Sequence, residues 1–328
     1  MILAGDNREA DHAARNGLQQ ARPASAVADM VVTELGLFAR EALRSGSAGQ
    51  VVAVFERSFY AVLDDKWICV GATDIGSGPL HVLGPRGPSR RLTPGDSVAV
   101  VGSALWIEET PFARFDAASV WTPEAAPHWT MSSLRTGLHA VDQIWHGDLI
   151  EHGLASAGCA EPLDNPPQFV QAAMPGIDAL KRIVESGREQ DVRADPPGLA
   201  SLIGLGPGLT PSGDDLIGGA LIALAALGRV DLRDLLWEKC YGYLDRTNEI
   251  SRAHLATAAR GYGAAALHTA LHATMSGRVE QIYPAIAAVA AIGHTSGRDA
   301  FAGALVVLRM LRGSSDPEAD SGRPRGMF

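Results

Sequence analysis

Cysteine is scarce in this chain: Cys69, Cys159 and Cys240 are the three in 328 residues, far apart and without a CxxC spacing. Three thiols cannot all pair, and a disulfide framework or a cysteine zinc site needs closely spaced partners, so neither is expected. Positive charge is also in deficit. With 28 Lys and Arg against 37 Asp and Glu the formal charge is −9, which leaves no basic face to displace counterions from a nucleic acid. No long apolar run is present. The most apolar segment, Leu216 to Leu227, is interrupted by Gly218 and Gly219 and as a helix covers about half of a membrane's hydrocarbon core. No membrane span is expected. The opening MILAGDNREADHAAR has too short an apolar stretch for a secretory signal, which makes a cytoplasmic location the expectation. Walker GK[ST], GxSxG and catalytic Cys-His signatures are missing too, so none of the chemistries they announce is indicated.

What is present is 46% apolar residue content, enough for a large core and two domains. Apolar positions at helical spacing from about 26 to 45 predict an N-terminal helix. From Val51 the character changes to short runs rich in β-branched and aromatic residues: VVAVFE, SFYAVL, KWICVGA, PLHVL and SVAVVGS. Turn residues such as Asp64-Asp65 and Gly76-Ser77-Gly78-Pro79 separate them, a pattern that predicts a small antiparallel barrel or sandwich. Prolines at 162, 166 and 167 and ADPPG at 194 to 198 mark a join. Beyond it, Ala-rich helical periodicity covers 214–228, 231–246, 248–260, 263–275, 279–292 and 297–312. The expected class is therefore α+β: a helical segment over 1–50, a β-rich domain over 51–165 and a helical domain over 166–312. The tail over 313–328 has almost nothing apolar to anchor it, and disorder is expected there.

Two stretches of the helical region repeat each other. Ser212 to Leu221 aligns without a gap on Ser296 to Leu305, sharing SGxDxxxGAL, with Thr210 and Thr295 shortly before. Such an internal echo suggests two helices used in related ways. The plainer reading is a serine N-cap with an acid three positions on, plus Gly219 and Gly303 letting helices approach. The leader of the first copy goes beyond that reading. Gly204-Leu205-Gly206-Pro207-Gly208-Leu209-Thr210-Pro211-Ser212-Gly213 carries four glycines and two prolines in ten residues. Glycines let backbone amides approach an anion, and a helix start adds its positive dipole end. Gly206, Gly208, Ser212 and Gly213 are thus expected to bind phosphate or carboxylate through their amides.

Asp214 and Asp215 would repel a bare anion, so they need another purpose: orienting an amide, accepting a proton, or holding a Mg²⁺ that bridges to phosphate. Asp215 is the stronger candidate because the second copy keeps an acid there, Asp299, whereas Asp214 is matched by Arg298. Thr247, Ser251 and His254 stand on one helix face at i, i+4 and i+7 and either line the same pocket or form a capped, solvated face. His294 stands at a loop before the second helix, where an imidazole could serve as acid or base near neutrality. The candidate set is therefore Asp215, His294 and Asp214 for proton handling. Gly206, Gly208, Thr210, Ser212, Gly213, Thr247, Ser251, Ser296, Gly297 and Asp299 are the candidates for binding. His268 and His272 have the i, i+4 spacing of paired metal ligands, but no glutamate follows the first, and no zinc site is expected.

GLGPGLTPSGDDLIGGAL, the T-x-x-x-S of Thr247 to Ser251 and GHTSGRD from Gly293 together resemble the AllH-type subunit family of oxamate carbamoyltransferase. GSGPLHVL at 76–83 and W-x-P at Trp121 to Pro123 resemble it as well. The resemblance implies a role in purine (allantoin) degradation, interconverting oxalurate plus phosphate with oxamate plus carbamoyl phosphate. It also implies assembly with a CoA-ligase-like subunit and a second large subunit. A non-catalytic anion-binding or scaffold subunit and a stand-alone phosphate-handling or Mg²⁺-dependent hydrolase are the competing expectations.

Overall fold

The computed structural model describes residues 28–87, 91–186 and 198–313. The N-terminal run before Ala28, most of the ADPPG break and the tail after Gly313 lie outside the described residues. What is described is α+β, a curled ten-stranded sheet followed by helices. The strands are β1 (Met30–Val31), β2 (Glu34–Gly36), β3 (Ala48–Val54), β4 (Ser58–Leu63), β5 (Lys66–Ala72), β6 (His81–Gly84), β7 (Ser97–Val101), β8 (Ala104–Ile107), β9 (Thr110–Arg114) and β10 (Ser119–Trp121). Each of the five apolar runs picked out by sequence supplies one of β3 to β7.

Their order is β1-β9-β8-β7-β3-β4-β5-β6-β2-β10. Residues 30–36 pair at both ends of this order: β1 lies parallel to β9, while β2 lies antiparallel to β6 and parallel to β10. One short segment therefore draws the sheet back onto itself. The sheet is mixed rather than purely antiparallel, since β5 and β6 also run parallel. This segment is where periodicity predicts a helix from 26 to 45; helix forms only at α1 (Leu37–Ala42). The consecutive β-branched Val31, Val32 and Thr33 favour strand. Their backbone groups are also taken by both sheet ends, with the Val32 N–H donating to the Arg114 carbonyl and the Thr33 N–H to that of Leu83.

After the sheet come α2 (Met131–Asp142), α3 (Gln168–Ser186), α4 (Ser212–Ala226), α5 (Val230–Tyr241), α6 (Glu249–Ala258), α7 (Ala265–Ser276), α8 (Val279–Ala290) and α9 (Ser296–Gly313). A capping box starts α2: the Thr130 hydroxyl accepts from the Ser133 N–H, and the Ser133 hydroxyl accepts from that of Thr130. α4 is apolar on nearly every side and sits at the centre, as an all-round hydrophobic helix must in water. No helix among the described residues is long and apolar enough to cross a membrane.

Sheet and helices each own a hydrophobic core. In β4 the alternation puts Phe59, Ala61 and Leu63 in the sheet core and leaves Ser58 and Tyr60 facing the other way. In β5, Ile68 and Val70 enter that core, yet Cys69 between them is buried as well. Its outward side is covered because the helical body lies there. The Ala265 N–H donates to the Ser77 carbonyl, and Phe38 meets Tyr262 edge-on with ring centroids 5.2 Å apart. Arg260 caps Phe38 from above, 4.3 Å from the ring centre.

Candidate active site

The two SGxD helices cross face to face. A Cβ added to Gly219 would lie 1.7 Å from the Ala300 carbonyl oxygen, and one on Gly303 would lie 1.8 Å from that of Leu216. In the repeat, Gly219 corresponds to Gly303 and Leu216 to Ala300, so these two contacts exchange under a local pseudo-twofold. The glycines permit a close helix approach, and that approach brings both helix starts together. There the Thr210 and Ser296 hydroxyls, one from each copy, hydrogen-bond at 2.8 Å. The acids are exchanged in the same way: the Ser296 hydroxyl acts on the Asp215 carboxyl and the Ser212 hydroxyl on Asp299.

The serine of the first copy is not a cap. Pro211 holds the N-cap position of α4 and makes no side-chain cap bond. The glycine-rich leader serves close packing instead. Gly204 and Gly206 take φ of +74° and +123°, which side chains with a Cβ rarely adopt. The Gly213 N–H donates to the Leu205 carbonyl at 2.9 Å, so that amide is already committed. Asp214 ties this loop to α6. Its carboxylate accepts from the Gly204 N–H at 2.8 Å, the Ser251 hydroxyl at 2.6 Å and the Thr247 hydroxyl. Only 2% of Asp214 is exposed, and this set of donors is what a buried carboxylate requires.

Asp215 lies in other surroundings. Burial pushes its carboxyl well above the usual range, Asp299 and Asp214 push it further, and the Ser296 and Thr210 hydroxyls oppose the rise. One carboxyl oxygen, Oδ2, is buried without a hydrogen-bond partner. Asp299, fully buried, is raised for the same first reason, with the Ser212 hydroxyl and the Leu154 N–H opposing. That N–H reaches its Oδ1 at 2.6 Å.

Asp215 opens onto a cleft of about 330 Å³ between the outer face of β4 and β5 and the helices α4, α6 and α9. The sheet contributes Ser58, Tyr60, Cys69 and His81. Tyr60 and Cys69 face each other across the β4–β5 ladder. The Tyr60 hydroxyl reaches His254 Nε2 on α6 at 2.9 Å, a direct link from sheet to helices. His81 donates its Nδ1–H to the Gly76 carbonyl at 2.7 Å. Burial keeps His254 neutral, pushing its imidazole down to about 4 with help from His81. Burial likewise raises the Tyr60 phenol well above 10 and takes the Cys69 thiol up to about 11. Tyr60, Cys69 and His254 are thus uncharged at neutral pH, Asp214 and Asp215 stand in the same wall, and no Lys or Arg is among the lining residues.

Of the residues singled out by sequence, Asp215, Asp214, Thr210, Ser251, His254, Ser296 and Gly297 line this cleft. Gly206, Gly208, Ser212, Gly213, Thr247 and Asp299 do not; they sit in the loop or beneath the helix crossing. His294 is exposed, its ring stacked on His152 at 5.8 Å, and it stays outside the cleft. His268 hydrogen-bonds the Gly263 N–H at 3.2 Å and is likewise no part of it. Tyr60, Cys69 and His81 were not anticipated. The alternation in SFYAVL marks Tyr60 as outward-facing, but nothing local says what would cover that face. Among the described residues, no three or more His, Cys, Asp or Glu side chains gather as metal ligands.

Residues 202–308 match the family model described as oxamate carbamoyltransferase subunit AllH. Both SGxD motifs, α6 and their connecting elements fall within that stretch, so the family resemblance stands there. The sheet residues of the cleft lie outside the match. No solved structure matches the chain.

Proposed function

We propose that this chain, AllH-like over the region that builds the helix crossing, is a subunit of a carbamoyltransferase whose substrate site is the cleft at Asp215. The reaction it serves interconverts oxalurate and phosphate with oxamate and carbamoyl phosphate. Toward oxalurate, the amide nitrogen of oxamate forms a bond to the carbamoyl carbon, phosphate leaves and the nitrogen loses a proton. The single observation that carries this reading is the Asp215 carboxyl, held with one unpartnered oxygen at the point where both repeated motifs meet the cleft. A carboxyl whose protonated form burial favours can donate to charge developing on the carbamoyl oxygen, and the Thr210 and Ser296 hydroxyls add donors beside it. The nitrogen's proton leaves with the phosphate, and the neutral Tyr60–His254 pair hydrogen-bonds the reacting amide. Asp214, saturated by the hydroxyls of Thr247 and Ser251 and the Gly204 amide, fixes the wall. Gly206, Gly208, Ser212, Gly213, Gly297 and Asp299 hold the two helix starts in place.

In this reading the chain works in the cytoplasm with a CoA-ligase-like subunit and a second large subunit. The test is oxalurate formation from oxamate and carbamoyl phosphate, with the chain alone and mixed with those two subunits. Turnover is expected only in the mixture and is lost when this chain is omitted. A mixture equally active without it would remove the chain from the reaction. One observation favours a non-catalytic subunit: the Gly213 amide, one of the four anion donors expected from sequence, is spent on Leu205. Under that alternative the assembled complex needs the chain but tolerates Asp215→Asn.

A further inference from the structure

We infer that the cleft receives the uncharged amide or ureido portion of its substrate and supplies no countercharge to phosphate, whose charge must be met by groups from elsewhere in the active assembly. This rests on the cleft being the substrate site proposed above and narrows what that site takes.

The argument is one of charge and hydrogen-bond type. A phosphate dianion withdrawn from water needs cations or several free N–H donors around it. The cleft offers no cation: no Lys or Arg lines it, and the Asp214 carboxylate stands in its wall. Apolar side chains from Ile75, Ile222 and Leu255 close its other sides, which lowers the local dielectric and makes an unpaired anion costlier still. An amide or ureido group asks for the opposite. It carries no net charge and presents N–H donors and a carbonyl acceptor within a few ångströms of each other. The wall matches it with groups that both donate and accept: the linked Thr210 and Ser296 hydroxyls and the Tyr60–His254 pair. The buried, unpartnered Asp215 oxygen is the remaining orphan that such a ligand would satisfy. A cavity of about 330 Å³ accommodates a planar molecule of this size together with ordered water.

The probe is biuret, an uncharged compound with two ureido ends, compared with inorganic phosphate by calorimetry on the full chain at neutral pH. Biuret is expected to bind at least tenfold more tightly than phosphate. To place the binding, Gly218→Leu fills the cleft from α4. A Cβ at Gly218 meets only Ala258 Cβ, at 3.7 Å, and replacing a helix-interior glycine favours the helix, so the variant is expected to fold with an unchanged or higher Tm. It should weaken biuret at least tenfold. Phosphate binding as tightly as biuret, no biuret binding, or biuret binding indifferent to Gly218→Leu would each overturn the inference. Its failure is separable from that of the proposed function. An active assembly whose chain, taken alone, binds phosphate as tightly as biuret sinks the inference alone. Biuret bound as expected, in an assembly with no carbamoyl transfer, sinks the function alone.

Discussion

Each acid keeps one oxygen without a hydrogen-bond partner, but at the first helix start Asp215 reaches a cleft, whereas at the second Asp299 is sealed beneath residues 153 and 154. The two acids occupy equivalent places in SGxDxxxGAL and exchange partners through Ser296 and Ser212. What differs is the cover. Near the second start, the Leu154 N–H takes one Asp299 oxygen, and a Cβ at Gly153 would fall 2.4 Å from it. Trp145 packs edge-on against Phe301, ring centroids 5.3 Å apart, one turn further along α9. Near the first start stands the sheet, which leaves a gap lined by Tyr60 and His81. The repeat thus supplies a tight crossing and two buried acids, and the surrounding chain decides which acid can meet a ligand.

The largest effect tests what the two copies share. Gly219→Ala and Gly303→Ala would each drive a methyl into a backbone carbonyl oxygen, at 1.7 and 1.8 Å. Alanine normally improves a helix interior by about 1 kcal/mol over glycine. Here the backbones must separate instead, and each variant should lose at least about 3 kcal/mol, the upper end of overpacking costs. Urea unfolding measures both. A position that tolerates alanine within about 1 kcal/mol would show that the crossing is not reciprocal.

The next effect tests what they do not share. Asp215→Asn should reduce turnover of the assembled complex at least about 100-fold, the scale of a lost proton-handling group, with Tm within a few degrees. Asp299→Asn, which can still accept from Leu154, should retain turnover. Equal losses at both positions would erase the distinction.

A smaller effect concerns pH. Both carboxyls are raised above their ordinary 3.8 when folded. The folded state therefore holds protons that the unfolded chain releases, and the slope of stability with pH is negative. Their contribution is complete below the unfolded carboxylate range and is lost as pH rises through the folded values. Asparagine at either position should flatten that decline in Tm measured from pH 4 upward. A decline unchanged in both variants would show that these acids do not set it.

Much of this architecture was legible because it is local. Period-2 runs with turn residues between them gave β3 to β7, and 3.6-residue periodicity gave the six helices from α4 to α9. Residues 30–36 escaped because their apolar spacing fits a helix, while their backbone bonds come from β6, β9 and β10, which lie far away in sequence. The site divided along the same line. Asp215, Thr210 and Ser296 are visible in an echo within the chain, and Gly213 is visible as an amide but not as one already used. Tyr60 carries no mark beyond its place in an alternating strand. Its role comes from His254, 194 residues later, and no pattern within either segment encodes that pairing.

The smallest predicted effect concerns the bond that joins the two copies directly. Thr210 and Ser296 meet through their hydroxyls at 2.8 Å, each only partly buried. A hydrogen bond of that kind contributes about 0.5–1.5 kcal/mol net, since water competes for both groups when it is broken. Thr210→Val keeps the shape and removes one partner, Ser296→Ala removes the other, and the double variant closes a thermodynamic cycle. A coupling of about 1 kcal/mol in urea unfolding is expected. Both hydroxyls also border Asp215 and oppose the rise in its pKa, so either substitution alone should move the pH dependence of Tm toward higher pH. A coupling near zero with an unmoved profile would mean that the two helix starts meet through their glycines alone, leaving Asp215 to face the cleft without support from the second copy.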